Sequence, residues 1–117
     1  MNVAPVKPPI SKDLLDRVDI RVGTIRSVED VPDSKKLARL TVDLGDRRIR
    51  VLAGIRGERA NPQELAGRQA LFVVNLEPRR MAGEVSEGML FDIGYADGVR
   101  PVLAVPESAV ENGVRAG

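Results

Sequence analysis

Apolar residues recur at every second position in two neighbouring segments of this chain, which is the pattern of β-strands with one buried face. In ARLTVDLG the residues Leu40, Val42 and Leu44 share one predicted face. The segment RIRVLAGI repeats the alternation at Ile49, Val51, Ala53 and Ile55. Because only a short turn at Gly45 separates the two segments, we predict a β-hairpin.

The other elements follow from local signals. DIRVGTIRSVEDV is β-branched, but its apolar parity changes around Gly23, which predicts a bulge that bends the first strand. NPQELAG predicts a short helix with Asn61 as N-cap and Pro62 at the first position. QALFVVNLE predicts a strand buried on both faces, EGMLFDIGY a further strand, and RPVLAVP an edge strand bracketed by prolines.

The order of these elements indicates a fold class. Three strands, a short helix and two more strands predict an all-β protein, a five-stranded OB-fold barrel with a short helix between strands 3 and 4 and short terminal extensions. Another small barrel or an α+β sandwich is the alternative. Residues 1–12 are predicted to be an N-terminal arm and residues 13–117 a single domain. Within SKDLLD, Ser11 is the expected N-cap of one helical turn.

Composition excludes most catalytic chemistry. The chain has no cysteine and no histidine, so thiol nucleophiles, imidazole acid–base catalysis and the usual zinc sites are ruled out. We therefore predict that it is not an enzyme and has no metal site or cofactor. No apolar run approaches the roughly 18 residues of a membrane span. The start, MNVAPVKPPISKD, lacks the features of a signal peptide, so a cytoplasmic location is expected.

The basic residues suggest nucleic-acid binding, although the net charge is only +1. Three basic groups are candidates for contacts to RNA: Lys35, Lys36 and Arg39 at the first loop, Arg48, Arg50 and Arg56 on the third strand, and Arg79 and Arg80 before the last loop. In an OB barrel the first and last loops lie near one face, so these groups could converge. From charge alone, RNA binding and an ordinary charged surface are equally open.

Aromatic residues are few. Phe72 is predicted to lie in the core, and Phe91 and Tyr95 in the core or at an interface, which leaves few rings for base stacking. Nucleic-acid binding would then depend on phosphate contacts and shape, which favours a folded RNA over an arbitrary single strand.

Five ordered motifs resemble one family. They are DIRVGTI from residue 19, VPDSKKLARLTVDLGD from residue 31, AGI from residue 53, NPQELAGRQALFVVNLEPRRMAG from residue 61 and SEGMLF from residue 86. Together they resemble the tRNA-binding OB domain found at the C-terminus of methionyl-tRNA synthetases and as free-standing dimeric proteins, a superfamily that includes CsaA-type export chaperones. The resemblance implies a non-catalytic module that binds tRNA by its shape.

The resemblance also implies particular contact residues. Lys36 matches a family lysine, Asn75 the asparagine of N-L-x-P, and Arg79 and Arg80 the basic stretch that follows. Ser86 and Met89 match S-x-G-M, and Gly88 would let the backbone pass close to a phosphate or make the turn.

The resemblance implies three kinds of partner: tRNA, on which the module would act in trans, a second copy of the chain in a homodimer, and an aminoacyl-tRNA synthetase with which it would work. The alternative is a CsaA-type chaperone that binds unfolded or export-bound polypeptide in an apolar groove around Met81, Val85 and Met89. An assembly domain that binds only another protein is a third possibility.

Overall fold

The structure is a computed structural model that describes residues 3–117. It is all-β, with a curled antiparallel main sheet and few helical residues. The strands are β1 (Ile20–Asp30), β2 (Ala38–Asp43), β3 (Arg48–Ala53), β4 (Gln69–Val73), β5 (Arg79–Met81), β6 (Glu84–Ser86), β7 (Met89–Leu90), β8 (Asp92–Ile93), β9 (Val102–Leu103) and β10 (Arg115–Ala116). Helix α1 is the single turn Lys12–Leu15, and its N-cap Ser11 accepts a hydrogen bond from the Leu14 amide as expected.

The main sheet has the order β3-β2-β1-β4-β7, with β10 also paired to β1. The first half of β1 pairs with β4 and the second half pairs with β2, so this long strand turns the sheet into a half-barrel. The predicted irregularity lies later than expected, because the register between β1 and β2 shifts between Ile25 and Ser27 and not at Gly23. Gly23 instead allows close packing, since a Cβ there would lie 2.6 Å from Val42 Cγ1.

The core lies inside the curl. Leu40 and Val42 on β2, Leu44 directly after it, and Ile49 and Val51 on β3 are buried as predicted for the hairpin. The alternation ends at Leu52, which is also buried, and Ala53 is half-buried. The fully buried side chains of largest volume are Phe72, Ile25, Leu40, Val31, Val42 and Val51.

Between β3 and β4 the chain forms a 3₁₀ turn, Pro62–Leu65, whose buried residue is Leu65. Asn61 precedes this turn but its side chain makes no capping hydrogen bond, unlike the predicted N-cap. After β4, the hairpin β5–β6 turns at Ala82 and Gly83 with φ angles of 49° and 80°. Positive φ at both central residues is the signature of a type I′ turn, which matches the twist of the two strands.

The segment predicted as one strand, EGMLFDIGY, is divided between two sheets. β7 pairs with β4, whereas β8 leaves the main sheet and pairs with β9. The chain then enters a 3₁₀ turn, Tyr95–Asp97, after Gly94 at φ 109°. The C-terminal residues return to β1 as β10. No helix within residues 3–117 is long and apolar enough to cross a membrane.

Candidate nucleic-acid interface

A groove of about 760 Å³ opens between β3, the β5–β6 hairpin and the β7–β8 segment. Its lining combines apolar, aromatic and charged side chains, and we call it the β3–β7 groove. The lining includes Lys36, Leu52, Glu58, Arg59, Leu76, Glu77, Arg79, Met81, Ser86, Gly88, Met89, Phe91, Asp92 and Tyr95. Its volume is within the roughly 300–1,000 Å³ typical of small-ligand sites.

The floor of the groove is built by the motif Ser86–Met89. Ser86 is buried, at 4% exposure, and its hydroxyl accepts a hydrogen bond from the Leu52 amide (3.0 Å) and donates one to the Gly88 carbonyl (2.9 Å). Glu87 makes two hydrogen bonds with the backbone of Arg50, one through its amide and one through its side chain. Its amide donates to the Arg50 carbonyl (2.8 Å), and its carboxylate accepts from the Arg50 amide (2.7 Å). These bonds attach the free edge of β3 to the segment before β7.

Gly88 is required by close packing at this place. A Cβ on residue 88 would lie 2.9 Å from the Val73 carbonyl oxygen and 3.2 Å from Ile49 Cδ1. The glycine therefore lets the loop pass directly over the sheet.

An ion pair attaches the β5–β6 hairpin to the sheet. Arg39 on β2 donates two hydrogen bonds of 2.7 Å to the two carboxylate oxygens of Glu84, and a third of 3.4 Å to Glu29. The hydrogen bonds from Arg39 lower the pKa of Glu84, and the same contacts raise the pKa of the guanidinium. A bidentate pair fixes geometry as well as charge, so the Arg39 guanidinium is committed to holding the hairpin.

This pair predicts a pH dependence of stability. Because the folded pKa of Glu84 lies below its unfolded value of about 4.3, its stabilising contribution is present at neutral pH and is lost as pH falls through the folded pKa. Glu84→Gln should lower the free energy of unfolding at pH 7 and lose less stability than wild type below about pH 4.3. Urea unfolding at a series of pH values measures both effects.

Glu107→Gln is the matched control, since Glu107 is exposed and takes part in none of the ion pairs within residues 3–117. Asp43, whose pKa is lowered by the Gly45 amide and by Arg26, contributes equally to all three proteins. Parallel pH curves for wild type and Glu84→Gln would contradict the assignment.

Arg56 organises the loop that carries the two lysines. Its guanidinium donates to the carbonyl oxygens of Val31, Ser34 and Leu37 and pairs with Asp30 at 3.3 Å. This half-buried arginine is therefore a structural support of the loop, although its charge placed it among the basic candidates.

The structure brings five of the eleven predicted contact residues together in the groove. They are Lys36, Arg79, Ser86, Gly88 and Met89. The other six lie outside its lining: Lys35, Arg39, Arg48, Arg50, Asn75 and Arg80.

A basic strip runs along β3 away from the groove. Leu52, Arg50 and Arg48 stand opposite Arg39, Thr41 and Asp43 of β2, so they share one face of the sheet. Leu52 lines the groove, and Arg50 and Arg48 are exposed beyond it.

Asn75 has a different position and different contacts. Its side-chain oxygen accepts from the Asp19 amide (2.9 Å), and its side-chain nitrogen donates to the Arg17 carbonyl (2.6 Å). It lines a separate cleft formed by residues 12–20 and 113–117, which shares no lining residue with the β3–β7 groove. The described contacts thus give Asn75 the task of fixing the segment that leads into β1.

Three groove residues were missed from the sequence. Arg59 lies in the same arginine-rich stretch as Arg48, Arg50 and Arg56 but was not among the candidate contacts, and its Nε is buried without a hydrogen-bond partner among the described residues. A core position for Phe91 and Tyr95 is wrong, since they are 40% and 70% exposed and line the groove. A tyrosine in a glycine-flanked turn such as GYADG was the available signal, because turns seldom enter the core.

Comparisons with known proteins agree with this geometry. Residues 20–115 match the family model described as "Putative tRNA binding domain". Because the match covers most of the chain, the protein belongs to this tRNA-binding domain family.

Individual relatives support the same assignment. The chain is 40% identical over 107 residues to a methionine–tRNA ligase of Chlorobium luteolum, a match that covers 92% of this chain and 15% of the ligase. It thus spans less than a fifth of the length of that relative. Among solved structures, the MetRS related protein from Pyrococcus horikoshii is similar with a TM-score of 0.86 and 30% identity, over 95% of this chain and 100% of the other. The chaperone CsaA from Bacillus anthracis str. Ames has a TM-score of 0.81 and 30% identity, over 94% of this chain and 100% of the other.

Proposed function

We propose that this protein is a non-catalytic tRNA-binding module, built on an OB-type barrel, that recognises folded tRNA by its shape and by contacts to phosphates. The observation that carries the proposal is the groove itself, in a chain that belongs to the tRNA-binding domain family. Lys36 and Arg79 line it, and neither takes part in an ion pair within residues 3–117. Free basic side chains at a concave site suit individual phosphate groups of a nucleic acid.

The ligand surface extends beyond the groove. Exposed Arg48 and Arg50 continue along β3 from its edge, and Arg80, on the opposite face of the hairpin from Arg79, adds a charge outside the groove. A basic strip of this kind suits a rigid folded RNA, since several phosphates at fixed spacing can be contacted without reading any base. In this arrangement Ser86 and Gly88 shape the floor, and Lys36, Arg79 and Met89 face the ligand.

We further propose that the module acts in trans on tRNA, as a homodimer and together with an aminoacyl-tRNA synthetase. The relationship to methionine–tRNA ligase supports a role beside a synthetase. Exposed apolar residues on β8, β9 and the following segment, Ile93, Val102 and Val105, provide a surface that a second copy could cover. Two grooves on one body would raise the avidity for a large ligand.

Titration of fluorescent tRNA across a salt series tests the function. We expect micromolar affinity at low salt, with a slope of log affinity against log salt of about −3 to −6, because each neutralised phosphate releases counterions. Arg79→Ala/Arg80→Ala should weaken binding and make the slope less negative by about one to two.

Arg17→Ala/Arg115→Ala is the matched control. It removes the same charge from the separate cleft, which shares no lining residue with the β3–β7 groove. Affinity close to that of wild type is expected for this variant. Equal losses in both double variants would show that only net charge matters, and absence of binding at low salt would refute the proposed function.

A peptide-binding chaperone is the second candidate. Leu52, Leu76, Met81 and Met89 give the groove an apolar component, and the CsaA structure resembles this fold over nearly the whole chain. Binding of an unfolded polypeptide by apolar contacts would persist at high salt, in contrast to tRNA binding. The same salt series with a denatured, fluorescent polypeptide therefore separates the two functions.

A further inference from the structure

Two exposed aromatic rings lie in the groove, and recognition of tRNA by shape and phosphate contacts alone gives them no role. Phe91 and Tyr95 both line the groove in a chain that has only three aromatic residues, the third being the fully buried Phe72. Exposed aromatic faces in a nucleic-acid groove are the usual platforms on which unpaired bases stack.

The charge of the groove lining suits one or two phosphates of a nucleotide better than a long stretch of RNA backbone. Lys36, Arg59 and Arg79 are balanced in the lining by Glu58, Glu77 and Asp92. Three acids in the groove would repel a continuous row of phosphates. One or two phosphates, held at the arginines, are compatible with this balance.

Arg59 offers the most specific feature. Its side chain is half-buried, and its Nε has no hydrogen-bond partner among the described residues. The Nε is shielded from solvent, but Arg59 lines the groove and its guanidinium makes no ion pair within residues 3–117, so its terminal N–H groups are available to an acceptor there. A phosphate or a base carbonyl oxygen would supply it.

Glu58 interacts electrostatically with Arg59 and with Asp92 in the groove lining. Burial raises the pKa of Glu58, and the negative charge of Asp92 raises it further against the opposing effect of Arg59. Asp92 also accepts a hydrogen bond from the Tyr95 amide at 3.3 Å, which holds the turn that presents the ring.

We propose that the β3–β7 groove binds an unstacked nucleotide of single-stranded RNA, with its base on the rings of Phe91 and Tyr95 and a phosphate at Arg59 and Arg79. This rests on the proposed function and refines it: a single-stranded segment of the tRNA enters the groove, and the basic strip on β3 contacts the folded body. A short single strand thus becomes a ligand in its own right.

A unique fluorescent reporter tests the proposal. The chain has no tryptophan and one tyrosine, so Tyr95→Trp places a single indole in the groove. Excited at the red edge of its absorption, where bases absorb little, it should be quenched saturably by a short single-stranded oligoribonucleotide. The same oligomer with abasic sites carries equal phosphate charge and should quench far less. Leu14→Trp on the exposed face of α1 is the control reporter and should not respond.

Affinity measurements complete the test. Tyr95→Leu keeps an apolar side chain but removes the ring, and should weaken binding of the labelled oligoribonucleotide roughly 5- to 150-fold. Arg59→Gln should also weaken it, and tRNA should still bind both variants with a steep salt slope. If tRNA binds Tyr95→Leu as tightly as wild type and the oligomer quenches no reporter, the inference is overturned while the proposed function stands. Quenching by a denatured polypeptide and not by the oligomer would overturn it in favour of a peptide site.

Discussion

Replacing Gly23 by alanine should lower the free energy of unfolding by about 1–3 kcal/mol, the cost of overpacking a filled core. A Cβ at this position would lie 2.6 Å from Val42 Cγ1, 3.0 Å from Leu44 Cδ2 and 3.2 Å from the Asp43 carbonyl oxygen. The two side chains are buried in the core and the oxygen belongs to the neighbouring strand, so none of the three can move away freely. Urea unfolding followed by far-UV circular dichroism measures the loss.

Gly57→Ala is the matched control for this substitution. A Cβ at Gly57 would meet no atom within 4 Å, and its backbone conformation is not one that favours glycine. Alanine there should be neutral or stabilise the protein by about 0.4–1 kcal/mol, because it restricts the unfolded chain. An unchanged midpoint in Gly23→Ala would show that β1 and β2 can separate without cost, contrary to the packing described above.

Gly23 marks the limit of what the alternation of apolar residues at every second position can predict. The alternation in the β2–β3 hairpin fixed its buried face because each side chain either enters the core or meets solvent. At Gly23 the same pattern indicated an irregularity but not its kind, since the absence of a side chain is equally consistent with a bulge and with close packing. The register shift beyond Ile25 depends on how β1 is shared between β2 and β4, which is a property of the whole sheet.

The sequence predicted which basic residues lie near the groove, but not which of them already form an ion pair within the fold. Lys36 and Arg79 were expected in one surface and both line the groove. Arg39 was selected by the same reasoning, but its guanidinium is occupied by Glu84, 45 positions along the chain. Sequence separation of this size hides the pairing, so a candidate cation cannot be recognised as occupied before the fold is known.

Aromatic residues caused the opposite error. Phe72 is buried as expected, whereas Phe91 and Tyr95, expected in the core or at an interface, are exposed. The predicted strand is divided into β7 and β8. Phe91 lies between them, with its amide still bonded to the Leu71 carbonyl of β4, and Tyr95 lies in the turn beyond β8, and both rings line the groove. Base stacking, which composition disfavoured, therefore has two exposed rings available to it in the groove.

Ser86→Ala should lower the free energy of unfolding by about 1–3 kcal/mol while leaving the tRNA affinity of the folded protein close to that of wild type. The Ser86 hydroxyl is the hydrogen-bond acceptor for the buried Leu52 amide, and alanine would leave that amide without a partner. A buried donor that loses its acceptor costs its full desolvation penalty, which is larger than the net value of an ordinary hydrogen bond.

Two measurements distinguish this role from direct contact with RNA. Urea unfolding gives the stability, and tRNA titration below the unfolding transition gives the affinity of the folded variant. Ser108→Ala, at an exposed serine with no side-chain hydrogen bond within residues 3–117, should change neither. Weakened tRNA binding with unchanged stability would instead place the Ser86 hydroxyl on the RNA. In that event the Leu52 amide must find another acceptor, and the attachment of β3 to the segment before β7 would depend on Glu87 alone.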